Sequence, residues 1–195
     1  MMRLRILLIT ESSERAMLIE QALAGARHQV AAAIRPDDDL VFYVQQAQPD
    51  ALIAELETPS PDFLEKLRQL DEQRPRPVVV FTAHSDSPAI RTAIKAGVSA
   101  YVVDGFGPAR VVPVLEAAFA RFAEFQALRS QRDNAVAKLA ERKTVERAKG
   151  ILMQRRKLSE SAAHATLRKM AMDRGKRIEE MAQSIILAEE ALAQG

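Results

Sequence analysis

From Leu4 to Val103 the chain alternates short apolar runs with longer amphipathic stretches. The runs Leu4 to Ile9, Gln29 to Ile34, Ala51 to Ala54, Val78 to Phe81 and Ala100 to Val103 have the length and composition of strands. Between them, Glu14 to Ala24, Leu40 to Gln48, Asp62 to Asp71 and Pro88 to Ala96 carry helical spacing, and a fifth helix is expected after Pro108. Strand followed by helix, repeated, predicts parallel strands, because parallel neighbours need a long crossover connection. Val78-Val79-Val80-Phe81 shows no polar alternation, as expected of a strand covered on both faces. The predicted fold is therefore α/β, a doubly wound five-stranded parallel sheet. In such folds the chemistry stands at the carboxyl ends of the strands.

After Pro113 the strand signal stops and helical spacing takes over. No Gly or Pro interrupts Val114 to Lys149, so one long helix is expected, with a possible coiled-coil pairing to a second copy. Ser159 is placed to cap a helix reaching Asp173, and Gly175 can supply the left-handed residue that ends it. A third helix shows Ile178, Met181, Ala182, Ile185 and Ile186 at i, i+3, i+4, i+7 and i+8. The expected organisation is a first domain over 1–122, a helical linker over 123–138 and an all-α three-helix bundle over 139–195.

Charge divides along the same line. Residues 1–128 hold 13 Lys and Arg against 17 Asp and Glu, whereas 129–195 hold 15 against 9. Between Arg129 and Ile178 the ratio is 15 to 5, a density that attracts polyanions, although a solvated helix exterior is the plain alternative. Arg142, Lys149 and Arg156 recur every seven residues on one helix face, with Met153 between the last two and Lys157 extending the row. Arg168, Lys176 and Arg177 join that surface if the bundle folds them onto the same side. Gly150, inside a helix, calls for close approach by a neighbouring helix or the backbone of a bound polyanion, with helix packing favoured.

Absence of cysteine excludes disulfide scaffolds, zinc–cysteine sites and thiol catalysis. His28, His84 and His164 are isolated, so no metal is assigned, and the chain has neither a glycine-rich phosphate loop nor a nucleophile elbow. Asp37-Asp38-Asp39 is explained by the N-terminus of the helix it precedes. The first apolar run is too short for an export signal, and nowhere do about 18 apolar residues follow one another. A non-enzymatic, cytoplasmic protein with no cofactor and no membrane contact is expected.

The first domain resembles the receiver domain of two-component response regulators. The likeness rests on Pro49 to Pro59, on Val80-Phe81-Thr82-Ala83 and on Ala96-Gly97-Val98-Ser99-Ala100-Tyr101. In receivers an acidic pair after the first strand holds magnesium, an aspartate after the third accepts phosphoryl, a Thr or Ser after the fourth follows it, and a lysine after the fifth pairs with it. The resemblance implies that Thr10-Glu11 stand at the acidic pair and Glu55 at the acceptor, with Thr82 retained and Asp104 replacing the lysine. Glu55 sets its carboxylate about 1.5 Å further out than an aspartate, and Asp104 meets the phosphoryl group with repulsion. A degenerate, phosphate-independent pseudo-receiver pocket is expected. Glu55 as an imitation of the phosphorylated state, and Glu11, Glu55 and Asp104 as merely solvated side chains, both stay open.

The tail resembles the ANTAR domain, the RNA-binding module of antitermination regulators, over about Leu139 to Glu190. The match is carried by Glu146 to Met153, Leu158 to Ala163, Leu167 to Met172 and Gly175 to Ile178. The domain order, together with Tyr101-Val102-Val103-Asp104, is similar to the nitrate/nitrite-assimilation, NasT-like branch of ANTAR response regulators. What the resemblance implies is transcription antitermination by binding leader RNA with paired stem-loops, restrained by a nitrate/nitrite-sensing, NasS-like partner protein. A homodimer, at least on RNA, suits such a target. The RNA-binding residues expected are Arg142, Lys149, Met153, Arg156, Lys157, Arg168, Lys176 and Arg177.

Overall fold

The computed structural model describes residues 3–84, 86–104 and 106–193. They form two compact units, divided between Gln126 and Ala127. In the first unit, β1 (Arg5–Thr10), β2 (Gln29–Ile34), β3 (Ala51–Leu56), β4 (Val78–Thr82) and β5 (Ala100–Val103) make one parallel sheet in the order β2-β1-β3-β4-β5. The crossovers are α1 (Ser13–Gly25), α2 (Leu40–Ala47), α3 (Pro61–Gln73) and α4 (Ser87–Lys95), and α5 (Pro108–Arg156) follows the last strand.

Alternate residues of the central strands go to opposite faces of the sheet. Leu7, Ile9, Leu52, Ala54 and Val80 pack with Leu40, Val44, Phe63, Leu67 and Ala93 of α2, α3 and α4. Ile6, Leu8, Ile53, Val79 and Phe81 pack with Ile19 and Leu23 of α1 and with Val111, Leu115 and Ala118 of α5. Each large aliphatic or aromatic side chain so buried contributes about 1.5–3 kcal/mol, and burial on both faces accounts for the unbroken apolar strand sequences. Helix starts follow their caps: Ser12, Asp39, Ser60 and Asp86 each accept a hydrogen bond from the backbone N–H three residues on. Asp39 is thus a cap as well as a charge at the helix start.

α5 is continuous over 49 residues and contains Pro113 in its second turn. Its contribution to the first core ends at Phe119, and Phe125 and Leu128 are exposed. From 130 to 143 every residue is exposed, including Val136 and Leu139. The helix becomes buried again at Ala148 and Leu152, which pack with Ala163, Leu167 and Ala171 of α6 (Glu160–Asp173) and with Met181, Ala182 and Ile186 of α7 (Ile178–Ala193). Ser159 caps α6 by accepting from the Ala162 N–H at 3.3 Å. Gly175, at φ +62°, closes that helix: its N–H donates to Met172 O and the Lys176 N–H donates to Ala171 O. Among the described residues, no helix is long and apolar enough to cross a membrane.

Candidate functional site

Parallel register sets Thr10 beside Glu55 and Leu56 beside Thr82, so the predicted pocket residues gather at the carboxyl edge of the sheet. Glu55 is buried, and both of its oxygens are engaged. Oε2 accepts from Thr10 Oγ1 at 2.9 Å, and Oε1 pairs with the guanidinium of Arg15. Arg15 stands in the first turn of α1, oriented by the Ser12 cap, and lies 5.4 Å from the ring centroid of Phe106. Phe106 in turn meets Phe81 edge-on, with centroids 5.9 Å apart. A carboxylate whose isolated burial costs several kcal/mol is therefore neutralised within the chain. Solvation is thereby excluded as the account of Glu55.

Thr82 is also spent internally. Its hydroxyl lies 2.7 Å from Glu57 O and 2.9 Å from His84 O, two acceptors sharing one proton. Asp104 is exposed in left-handed backbone at φ +47°, its N–H donating to Thr82 O at 3.0 Å. Glu11 is exposed and lines a crevice of about 280 Å³ with Asp37 and Glu57. No grouping of three or more His, Asp or Glu suited to a metal ion occurs among the described residues. Chemically, the edge offers a carboxylate with both oxygens occupied, a cation already in place, and an acid, Asp104, after β5. Sequence reasoning missed Arg15. A lone Glu in an apolar strand signals a buried counterion, but its identity depends on which helix crosses that strand end.

In the second unit the expected RNA residues divide. Arg142, Arg156, Lys157, Arg168 and Lys176 are exposed and have no carboxylate partner among the described residues. Met153 is 36% exposed and lies outside the core. Lys149 departs from expectation. Its side chain is 8% exposed, and Nζ donates to Glu160 at 2.8 Å and to both oxygens of Glu146 at 3.0 Å. Those bonds, Glu160 first, raise the Lys149 pKa, while Lys149 lowers that of Glu160. Lys149 thus ties α5 to the start of α6 and leaves the row formed by Arg142 and Arg156, which stay exposed.

Arg177 is likewise occupied, by Glu179 at 3.0 Å and Glu180 at 3.6 Å. Arg147 pairs with Glu190 and Arg155 with Glu189, which spends the acids of α7 on cations of α5 and of the turn before α7. What remains unneutralised includes Arg142, the end of α5, the exposed side of α6 and the turn after it. Gly150 corrects a second expectation: among the described residues a Cβ there would meet no atom within 4 Å, so packing of the described helices does not require the glycine.

The response regulator receiver domain family matches residues 6–116, and the ANTAR domain matches residues 133–186. Over 182 residues the chain is 27% identical to the transcriptional regulatory protein PdtaR of Mycobacterium tuberculosis, a likeness covering 93% of this chain and 89% of that one. The DNA-binding transcriptional regulator NtrC of Salmonella typhimurium is 28% identical over 119 residues, 60% of this chain and 25% of NtrC. Among solved structures, a CheY-like receiver domain protein from Methanospirillum hungatei superposes with TM-score 0.54 at 17% identity, covering 63% of this chain and 99% of that one. CheY4 of Vibrio cholerae gives 0.52, also at 17%, covering 60% and 99%. At that identity the structural likenesses show the fold.

Proposed function

The chain belongs to the response regulator receiver domain family and carries an ANTAR domain behind its receiver, and from that premise we propose that it is a non-enzymatic, RNA-binding transcription antiterminator. We take 1–122 as receiver, 123–138 as linker and 139–195 as the RNA-binding domain. The observation that carries the reading is the electrostatic division of the helical unit. Acids of α7 are paired, while Arg142, Arg156, Lys157, Arg168 and Lys176 keep their charge for an external polyanion. Unpaired loop nucleotides are favoured over a continuous duplex, since an A-form major groove does not admit side chains and arginine planes can stack on splayed bases. No aromatic residue follows Phe125, so guanidinium and thioether groups supply the polarisable surface.

The receiver works in this reading by protein contact and without phosphoryl transfer. Arg15 and Thr10 already occupy the oxygens of Glu55, and Asp104 repels an incoming anion. The bound RNA is a leader with paired stem-loops, whose occupation prevents a terminator hairpin. The controlled genes are those of nitrate/nitrite assimilation, and a NasS-like sensor partner restrains the regulator. Two copies act together through α5, where the exposed stretch 130–143 offers Val136 and Leu139 to a second helix, and an isolated helix of that length is marginal in water.

Crosslinking the protein to cellular transcripts and sequencing the recovered RNA tests the proposal. Enrichment of twin stem-loop leaders ahead of nitrate or nitrite genes is expected. Leaders of other genes would remove the nitrate assignment alone, and recovery without enrichment would remove the antiterminator.

A further inference from the structure

The outward side of α6 takes no part in holding the bundle together. Ala163, Leu167 and Ala171 are buried, whereas Ala165, Arg168, Lys169 and Met172 are exposed. Those four stand at i, i+3, i+4 and i+7, which makes one continuous strip on the helix surface. It holds two cations, neither with a carboxylate partner among the described residues, and no acid. Met172 is 71% exposed, more than the other exposed large apolar side chains of the described residues. An apolar group left in water between two unneutralised cations suits a ligand that is anionic and flat-faced.

Resting on the RNA-binding reading above, we propose that this strip is a base-contacting subsite. One unpaired nucleotide lies with its base against the Met172 thioether and the Arg168 guanidinium, and its phosphate on Lys169. A protein partner fits poorly, because a single methionine is far from the roughly 800 Å² per partner that a stable interface buries. A membrane surface fits no better, since an interfacial helix needs a broad apolar face and α6 spends its own on the bundle. A nucleobase needs little more than what is present: sulfur and a guanidinium plane both bind π-faces.

The test selects, with the full-length protein, from hairpins carrying randomised loops on one fixed stem, then measures variants on the selected hairpin and on a closed duplex of the same stem. Met172→Ala is expected to weaken hairpin binding about threefold to tenfold without changing its salt dependence or its affinity for the duplex. Lys169→Ala is expected to lower the slope of log K against log salt by about 0.7–0.9. Arg168→Lys keeps the charge and loses the plane, so the slope holds while loop preference falls. Helicity and melting temperature should not move, because these side chains are exposed. Full hairpin affinity in Met172→Ala, or an equal loss on the duplex, overturns the subsite. If binding survives changes at Met172 and Lys169 but is lost with Arg156→Ala and Lys157→Ala, the RNA-binding reading stands and the α6 strip is refuted. A library that yields no binder refutes both.

Discussion

Arg15 and Glu55 are 40 residues apart in the chain, yet the guanidinium of one closes on the buried carboxylate of the other. The pair occupies the edge of the sheet where a receiver would accept phosphoryl. It joins the start of α1 to the end of β3 and, through the Phe106 ring, to the approach to α5. Removing Arg15 leaves Glu55 buried with only Thr10 as partner. Arg15→Ala is expected to destabilise the first unit by about 2 kcal/mol, below the full value for a buried pair because Arg15 is partly exposed. Denaturant unfolding of Arg15→Ala, Glu55→Gln and the double variant measures the coupling, and additive effects would mean that the pair contributes nothing.

Acetyl phosphate with magnesium is expected to leave the protein unmodified, as read by intact mass. The combined variant Arg15→Ala, Glu55→Asp, Asp104→Lys frees the acceptor, shortens it and supplies the missing cation, so it should gain a phosphoryl adduct. An adduct on the unaltered chain would overturn phosphate independence.

Lys149→Met is expected to lower the melting temperature of the helical unit by several degrees, because Glu146 and Glu160 lose their common cation. The sign of the pH dependence follows from the shifts. Glu160 is held below the ordinary 4.5, so the clamp is fully present above about that pH and is lost as the pH falls through the depressed value. Lys149 is raised above 10.5, so the clamp persists below that pH and is lost only as pH climbs through the raised value. Melting curves of the two proteins should therefore differ across the neutral range and converge in acid.

Arg156→Ala and Lys157→Ala should each lower the salt slope of RNA binding by about 0.7–0.9, with helicity unchanged. Arg177→Ala should lower it less, since Glu179 and Glu180 already hold that guanidinium. Titration of affinity against salt separates the two cases, and equal slopes would remove the distinction between paired and free cations.

Val136→Glu with Leu139→Glu should abolish self-association in sedimentation while sparing the melting of both units, because these side chains contact nothing within the chain's cores. Unchanged sedimentation with concentration, in the variant and the parent alike, would remove α5 as the pairing element.

The alternation of apolar runs and helical stretches determined the five parallel strands, their crossovers and the helical tail, because burial on both faces of a sheet or on one face of a helix writes itself into local periodicity. Capping was equally legible: Ser159 and Gly175 do their work within a few residues of themselves. Pairing was not. Nothing near Glu55 in sequence names Arg15, and the seven-residue spacing of Arg142, Lys149 and Arg156 does not say that the middle one is taken by Glu146 and Glu160. Likewise, of the two explanations for Gly150, the favoured one, helix packing, fails because the space beside it is open among the described residues. Which charges are cancelled inside the molecule and which are left for a partner depends on distances between segments remote along the chain. Only the tertiary structure sets those, since ion pairing falls off over a few ångströms while sequence pattern reports only which face a residue is on.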